Sequence, residues 1–193
     1  MISEPIKFAE KFNTKSSRLL NYNYSAPGPY FITVCTYKHN NFFGKILKNK
    51  MIFSKMGIVA NQCLIDIPKH FANVCLDAFI VMPNHVHILF HVETPDLASL
   101  QEHSKVRLIK YSHRNHPDYY LRLNELSKQL IPKIVQQYKS TVTRQINPKT
   151  IFFAWQPRYY DEIIKDGKKY LKIKNYIINN PTNWQKDKYY TES

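Results

Sequence analysis

At 193 residues, 44% of them hydrophobic, the chain is long enough for one domain with a sizeable core and too apolar for wholesale disorder. Lys and Arg total 28 against 14 Asp and Glu, and the resulting formal net charge of +14 points to a polyanionic partner, nucleic acid before an acidic membrane surface. No uninterrupted apolar run approaches the ~20 residues that cross a bilayer, and the N-terminus has no signal-peptide core, so a soluble cytoplasmic protein is expected. Cys35, Cys63 and Cys75 form no CxxC pair and have no zinc-ligand spacing, which fits buried thiols in a reducing compartment.

Residues 1–29 are polar, end in Ser-Ala-Pro-Gly-Pro, and are read as an N-terminal arm. Tyr30 to Tyr37 is β-branched and aromatic, which predicts a strand. Lys45 to Phe53 predicts a short hairpin around Lys48-Asn49-Lys50, and Met56 to Phe71 has the apolar spacing of a helix. Two strands, Val74 to Met82 and His85 to Val92, flank a Pro83-Asn84 turn and form a second hairpin. The stretch 93–130 is polar, basic and without period, and reads as an insertion. Leu130 to Ile146 returns to helical spacing, Ile151 to Ile164 reads as a strand, and a last helix runs from an Asp166 N-cap to Asn179, stopped by Asn180-Pro181. This order predicts an α+β fold, a split β-α-β sheet with helices on one face, spanning 30–184 and followed by a tail, 185–193.

His85 and His87 lie two apart on a predicted strand, so both imidazoles point to one face and make half of a metal site. Their apolar neighbours Val86, Ile88 and Leu89 make the strand central, and a polar face there needs a reason. Tyr138 falls on the stripe of Ile131, Val135 and Val142, a placement that by pattern alone means core. Its neighbours Lys139 and Arg144 are suited to phosphates, and Gln136 and Gln137 to a metal or a base. Trp155, Arg158 and the loop residues Lys105 and Arg107 are further candidates for DNA contact, with 14 tyrosines in the chain available for stacking on unpaired bases. For Tyr176 and Ile177, packing of the last helix against the sheet is expected.

Four segments, MPNHVHILF (Met82 to Phe90), YKSTVTRQIN (Tyr138 to Asn147), WQPRYYDEII (Trp155 to Ile164) and YIINNPTNW (Tyr176 to Trp184), resemble in order the motifs of single-tyrosine HUH transposases, in particular the REP-associated tyrosine transposase branch. The resemblance implies a ferredoxin-like antiparallel sheet, with His85 and His87 as ligands of Mg²⁺ or Mn²⁺ and Tyr138 as the nucleophile on a helix alongside. It implies cleavage and rejoining of single-stranded, hairpin-bearing DNA through a 5′-phosphotyrosine bond, and is compatible with a homodimer. In relatives a third metal ligand can come one turn beyond the tyrosine. Counted from Tyr138 that position is Val142, which cannot ligate, leaving Gln137, Asp77 or water. A catalytically silent domain that binds single-stranded nucleic acid on the same scaffold is the rival reading.

Overall fold

The computed structural model describes residues 22–93, 130–147 and 152–191. Lys105 and Arg107, with most of the basic insertion and the arm before residue 22, lie outside the described residues. Strand β1 (Gly28–Cys35) is followed by a small ribbon, β2 (Gly44–Leu47) and β3 (Lys50–Phe53), then α1 (Lys55–Ile65) and the short α2 (Ile67–His70). Next come β4 (Val74–Val81), β5 (His85–Val92), α3 (Leu130–Ile146), β6 (Tyr160–Ile163) and α4 (Gly167–Asn179). Setting the ribbon, α2 and α4 aside, the order is βαββαβ, and the sheet order β4-β5-β1-β6 with every neighbour antiparallel is ferredoxin-like.

Local chemistry explains where these elements begin and end. Ser54 caps α1, its Oγ accepting from the Gly57 amide at 3.1 Å. Position 57 must be glycine, because a Cβ there would lie 2.0 Å from the Phe43 carbonyl oxygen. The helix predicted over Met56 to Phe71 is interrupted after Ile65, and Pro68 sits in the first turn of α2. Asp166 caps α4 by accepting from the amides of Lys168 and Lys169. The strand expected over Ile151 to Ile164 is confined to Tyr160–Ile163, with one bridge from Thr36 to Trp155 before it.

The sheet separates two apolar clusters. On one face Tyr30, Ile32, Val34, Val86, Ile88 and Phe90 meet Ala60, Cys63 and Leu64 of α1 and Ile131, Ile134, Val135, Tyr138 and Val142 of α3. On the other, Phe31, Ala78 and Leu89 meet Ile173 and Ile177 of α4. The expectation of helices on one face therefore holds for α1 and α3 but not for α4, which covers the opposite face. No helix among the described residues is long and apolar enough to cross a membrane.

Tyr138 is a member of the larger cluster, 2% exposed, and its hydroxyl donates to the Ala60 carbonyl at 3.2 Å. Replacing Tyr138 with Phe removes one buried hydrogen bond and should cost about 1 kcal/mol in urea unfolding. Replacing it with Ala should cost about 3–5 kcal/mol, the range for deleting a buried aromatic ring. An alanine variant of unchanged stability would contradict a core role.

Candidate active site

Antiparallel register puts His85 opposite Cys35, and His87 opposite Thr33 on one side and Ile80 on the other. All of these side chains share the face that α4 covers. Both histidines are completely buried, yet neither ring is idle. Asn84 donates its amide nitrogen to the carbonyls of His39 at 3.2 Å and Tyr189 at 2.8 Å, which fixes the orientation of its amide. Its Oδ1, 2.9 Å from His85 Nδ1, must then accept, so His85 carries its proton on Nδ1 and keeps Nε2 bare. Thr33 Oγ1 lies 2.8 Å from His87 Nδ1 and can accept from it in the same way. The two Nε2 atoms face each other at 3.0 Å.

Burial, with His39 and Lys188 adding to it, pushes the His85 imidazole down to about 3. Burial and the adjacent His85 hold His87 well below the usual histidine range, against an opposing pull from Asp187. Two neutral imidazoles presenting Nε2 to one point are the form in which histidine binds metals. Asp187 brings a carboxylate to the same point, and one ligand atom from each of His85, His87 and Asp187 lies within 4.8 Å of the others.

The tyrosine at this point is Tyr176. Its hydroxyl lies 3.1 Å from His87 Nε2 and donates to Asp187 Oδ2 at 2.6 Å. Half-burial and that hydrogen bond raise its pKa above the usual phenol range. One helical turn on, Asn180 is buried, its Nδ2 donating to Asp187 Oδ2 at 2.7 Å while its Oδ1 has no partner among the described residues. Asp187 Oδ1 in turn accepts from the Tyr189 amide at 2.8 Å. The Tyr189 ring lies 4.6 Å from that of His85 and stacks on His39. Residues 187–189, expected to belong to a plain tail, are thus part of the site. Beside them lies an open cleft of about 380 Å³ whose walls include His87, Tyr176, Tyr160, Lys186 and Lys188.

The other expected site residues lie elsewhere. Tyr138 belongs to the α1/α3 face, with the sheet between it and the histidines. Gln137 lines a small cleft on that same face with Cys63 and Arg144, and cannot reach the histidines. The Asp77 carboxylate is engaged by the Tyr170 hydroxyl and, at 2.9 Å, by the Lys174 ammonium. Lys139 is a strut rather than a free cation, its ammonium bonded to the Gln156 carbonyl at 2.6 Å. Trp155 Nε1 donates to the Lys139 carbonyl, and its ring packs on Phe43 and Phe153. Lys139, Trp155 and Arg144 line a groove of about 910 Å³ beside α3, and Arg158 is exposed nearby in sequence. Tyr176, expected to pack, and Asn180, expected only to stop the last helix, thus belong to the site together with Asp187, and YIINNPTNW holds the first two at one-turn spacing.

No family model matches the chain. An uncharacterized protein of Haemophilus influenzae is 33% identical over 179 residues, 92% of this chain and 93% of that one. Among solved structures, a REP-associated tyrosine transposase bound to a REP hairpin is similar in fold, with a TM-score of 0.54 and 16% identity over 88% of this chain and 74% of that chain. A candidate transposase of Deinococcus radiodurans gives a TM-score of 0.43 at 18% identity, over 86% of this chain and 97% of that chain.

The donor set predicts cation binding. Mn²⁺ at about 100 times its Kd should stabilise the chain by about 2.7 kcal/mol, roughly 5–10 °C in Tm. Thr33→Val should weaken Mn²⁺ about 10–100-fold in calorimetric titration, since it removes the oxygen that orients His87. A thermal shift that persists in His87→Ala would place the cation elsewhere.

Proposed function

We propose that this chain, which belongs to one family with the Haemophilus influenzae protein and has the fold of the REP-associated tyrosine transposase, is itself a metal-dependent tyrosine transposase acting on single-stranded, hairpin-bearing DNA. The observation that carries this reading is the Tyr176 hydroxyl, 3.1 Å from the Nε2 of buried His87 and bonded to Asp187. Tyr176 replaces Tyr138 as the nucleophile, because a phenol sealed in the core on the far face of the sheet reaches neither the histidines nor a phosphate.

His85 and His87 would hold the ion through Nε2, with oxygens from Asp187 and Asn180. Asn180 stands one turn beyond Tyr176, and its Oδ1 is the orphaned buried acceptor. An oxygen-rich set with two imidazoles suits Mn²⁺ or Mg²⁺, the former somewhat better. The bound ion supplies Lewis-acid polarisation of the scissile phosphate.

The protein's own groups carry the rest. Asp187 Oδ2, 2.6 Å from the phenol, is placed to take its proton. Tyr176 Oη then forms a bond to phosphorus while the bond to the 3′ oxygen breaks, leaving a 3′-hydroxyl and a 5′-phosphotyrosine. Attack by a second 3′-hydroxyl reverses the exchange, restores the phenol and rejoins DNA with no net loss of phosphodiester bonds. Lys186 and Lys188 flank the cleft and attract the strand's phosphates. Tyr176, Tyr160 and Tyr189 supply aromatic surface for unpaired bases.

The test is a covalent-adduct assay on a denaturing gel, with labelled stem-loop DNA drawn from palindromes flanking the gene, and Mn²⁺. Wild type and Tyr138→Phe should both give a shifted band, whereas Tyr176→Phe, His87→Ala and chelator should give none. Absence of adduct from wild type with salt-sensitive DNA binding intact would favour a silent binding domain.

A further inference from the structure

The ribbon β2–β3 is paired with no strand of the main sheet. Ile46 and Met51 form its half-buried inner face, and Met51 packs against the main core. On the outer face the register sets Lys45 opposite Ile52 and Leu47 opposite Lys50, and all four side chains are exposed, Leu47 by 53% and Ile52 by 47%. Lys48 and Asn49 at the tip have φ of 49° and 60°, the hand that a tight two-residue hairpin requires. Between residues 41 and 56 there are four lysines and no acid. The ammonium groups of Lys45, Lys48 and Lys50 form no ion pair or hydrogen bond among the described residues. A ribbon whose outer face carries cations and aliphatics, with no acidic partner among the described residues, is organised for contact with something anionic.

Its base is fixed to the site. The Phe43 amide donates to the Pro83 carbonyl at 2.9 Å, two residues before His85, and the Ser54 amide donates to the Phe43 carbonyl at 2.8 Å. Gly44, with φ of 138°, has the Ile52 carbonyl oxygen 2.0 Å from where a Cβ would stand, so no other residue fits there without shifting the ribbon. A groove of about 290 Å³ runs from Lys45 and Lys48 past Pro83 to Trp184, whose ring lies 6.0 Å from that of His85. The far end of that groove therefore lies next to the ring that neighbours His85.

We propose that the β2–β3 ribbon grips the double-helical stem of the DNA substrate, with Lys45, Lys48 and Lys50 on phosphates and Leu47 and Ile52 against sugars and base edges. This rests on the DNA-processing reading above and adds where the paired part of the substrate binds. Charge complementarity selects the phosphate backbone. The outer face selects duplex over single strand: it offers lysines and aliphatic chains but no aromatic ring on which an unpaired base could stack. A two-stranded ribbon also fits the major groove, which is about 12 Å wide. A stem seated there leaves its single-stranded flank beside Pro181, Thr182 and Trp184, in the segment that joins α4 to Asp187.

The experiment uses the full chain carrying Tyr176→Phe, so that binding is read without cleavage. Fluorescence anisotropy compares a stem-loop DNA with a linear oligonucleotide of equal length and composition that cannot fold. The parent should prefer the stem-loop. Adding Lys45→Ala, Lys48→Ala and Lys50→Ala should weaken stem-loop binding about tenfold or more and reduce its salt slope by about 2–3, at about 0.9 per phosphate contact. Binding of the linear probe should change by less than about twofold, and circular dichroism should be unchanged. Leu47→Ser with Ile52→Ser, which keeps the charge, should also weaken the stem-loop alone. A charge-matched control, Lys165→Ala, Lys168→Ala and Lys172→Ala, exposed just before and within α4, should weaken both probes alike. Equal loss for both probes in the ribbon variant, no loss for either, a parent without stem-loop preference, or preference for an RNA stem-loop would each overturn the assignment. A parent that binds no DNA at all would instead sink the transposase reading beneath it.

Discussion

Strand β5 is buried on both faces, and its alternation divides the chemistry of the whole molecule. Val86, Ile88, Phe90 and Val92 point into the core that α1 and α3 close, while His85, His87 and Leu89 point toward α4. One residue of slip would exchange the faces and bury the imidazoles among leucine and isoleucine side chains. The continuous ladder to β1, from Gly28 opposite Val92 to Cys35 opposite His85, prevents that slip. Everything at the site then follows from what reaches the histidine face: Thr33 from β1, Tyr176 and Asn180 from α4, Asp187 and Tyr189 from the segment beyond it.

A buried imidazole pair is costly unless every nitrogen is engaged. Here the Asn84 amide, pinned by two carbonyls, sets one tautomer, and Thr33 supports the other ring. Asp187 gathers Tyr176, Asn180 and the Tyr189 amide around a single carboxylate. These contacts hold a nucleophile-type hydroxyl, two bare nitrogens and an acid within a few ångströms before any substrate arrives. Such preorganisation is what a phosphoryl-transfer site needs, because positioning and charge stabilisation do most of its work.

Much of this was legible in the sequence, and the part that was not has a physical cause. Two strand-type runs, Val74 to Met82 and His85 to Val92, on either side of the Pro83-Asn84 turn marked the hairpin, and period 3.6 over Leu130 to Ile146 marked α3 at its observed bounds. The His-x-His spacing placed both rings on one face. The same periodicity placed Tyr138 in the apolar stripe of α3, which is where it lies; the nucleophile role came from the motif resemblance. Tyr176 was harder to judge, because α4 is covered on one side only: Ile177 is buried while Ile178 is 59% exposed, so a tyrosine at the boundary reads as packing. Asp187 joins the site through a turn after the short helix Trp184–Lys186, a return path that no local pattern encodes.

The nucleophile assigned to this site is Tyr176, the tyrosine on the histidine face. Mass-spectrometric mapping of the covalent DNA adduct, trypsin-digested after nuclease trimming, tests it most directly. The nucleotide remnant is expected on the peptide Asn175 to Lys186, whose one tyrosine is Tyr176. A remnant on Ile134 to Lys139, whose one tyrosine is Tyr138, would contradict it.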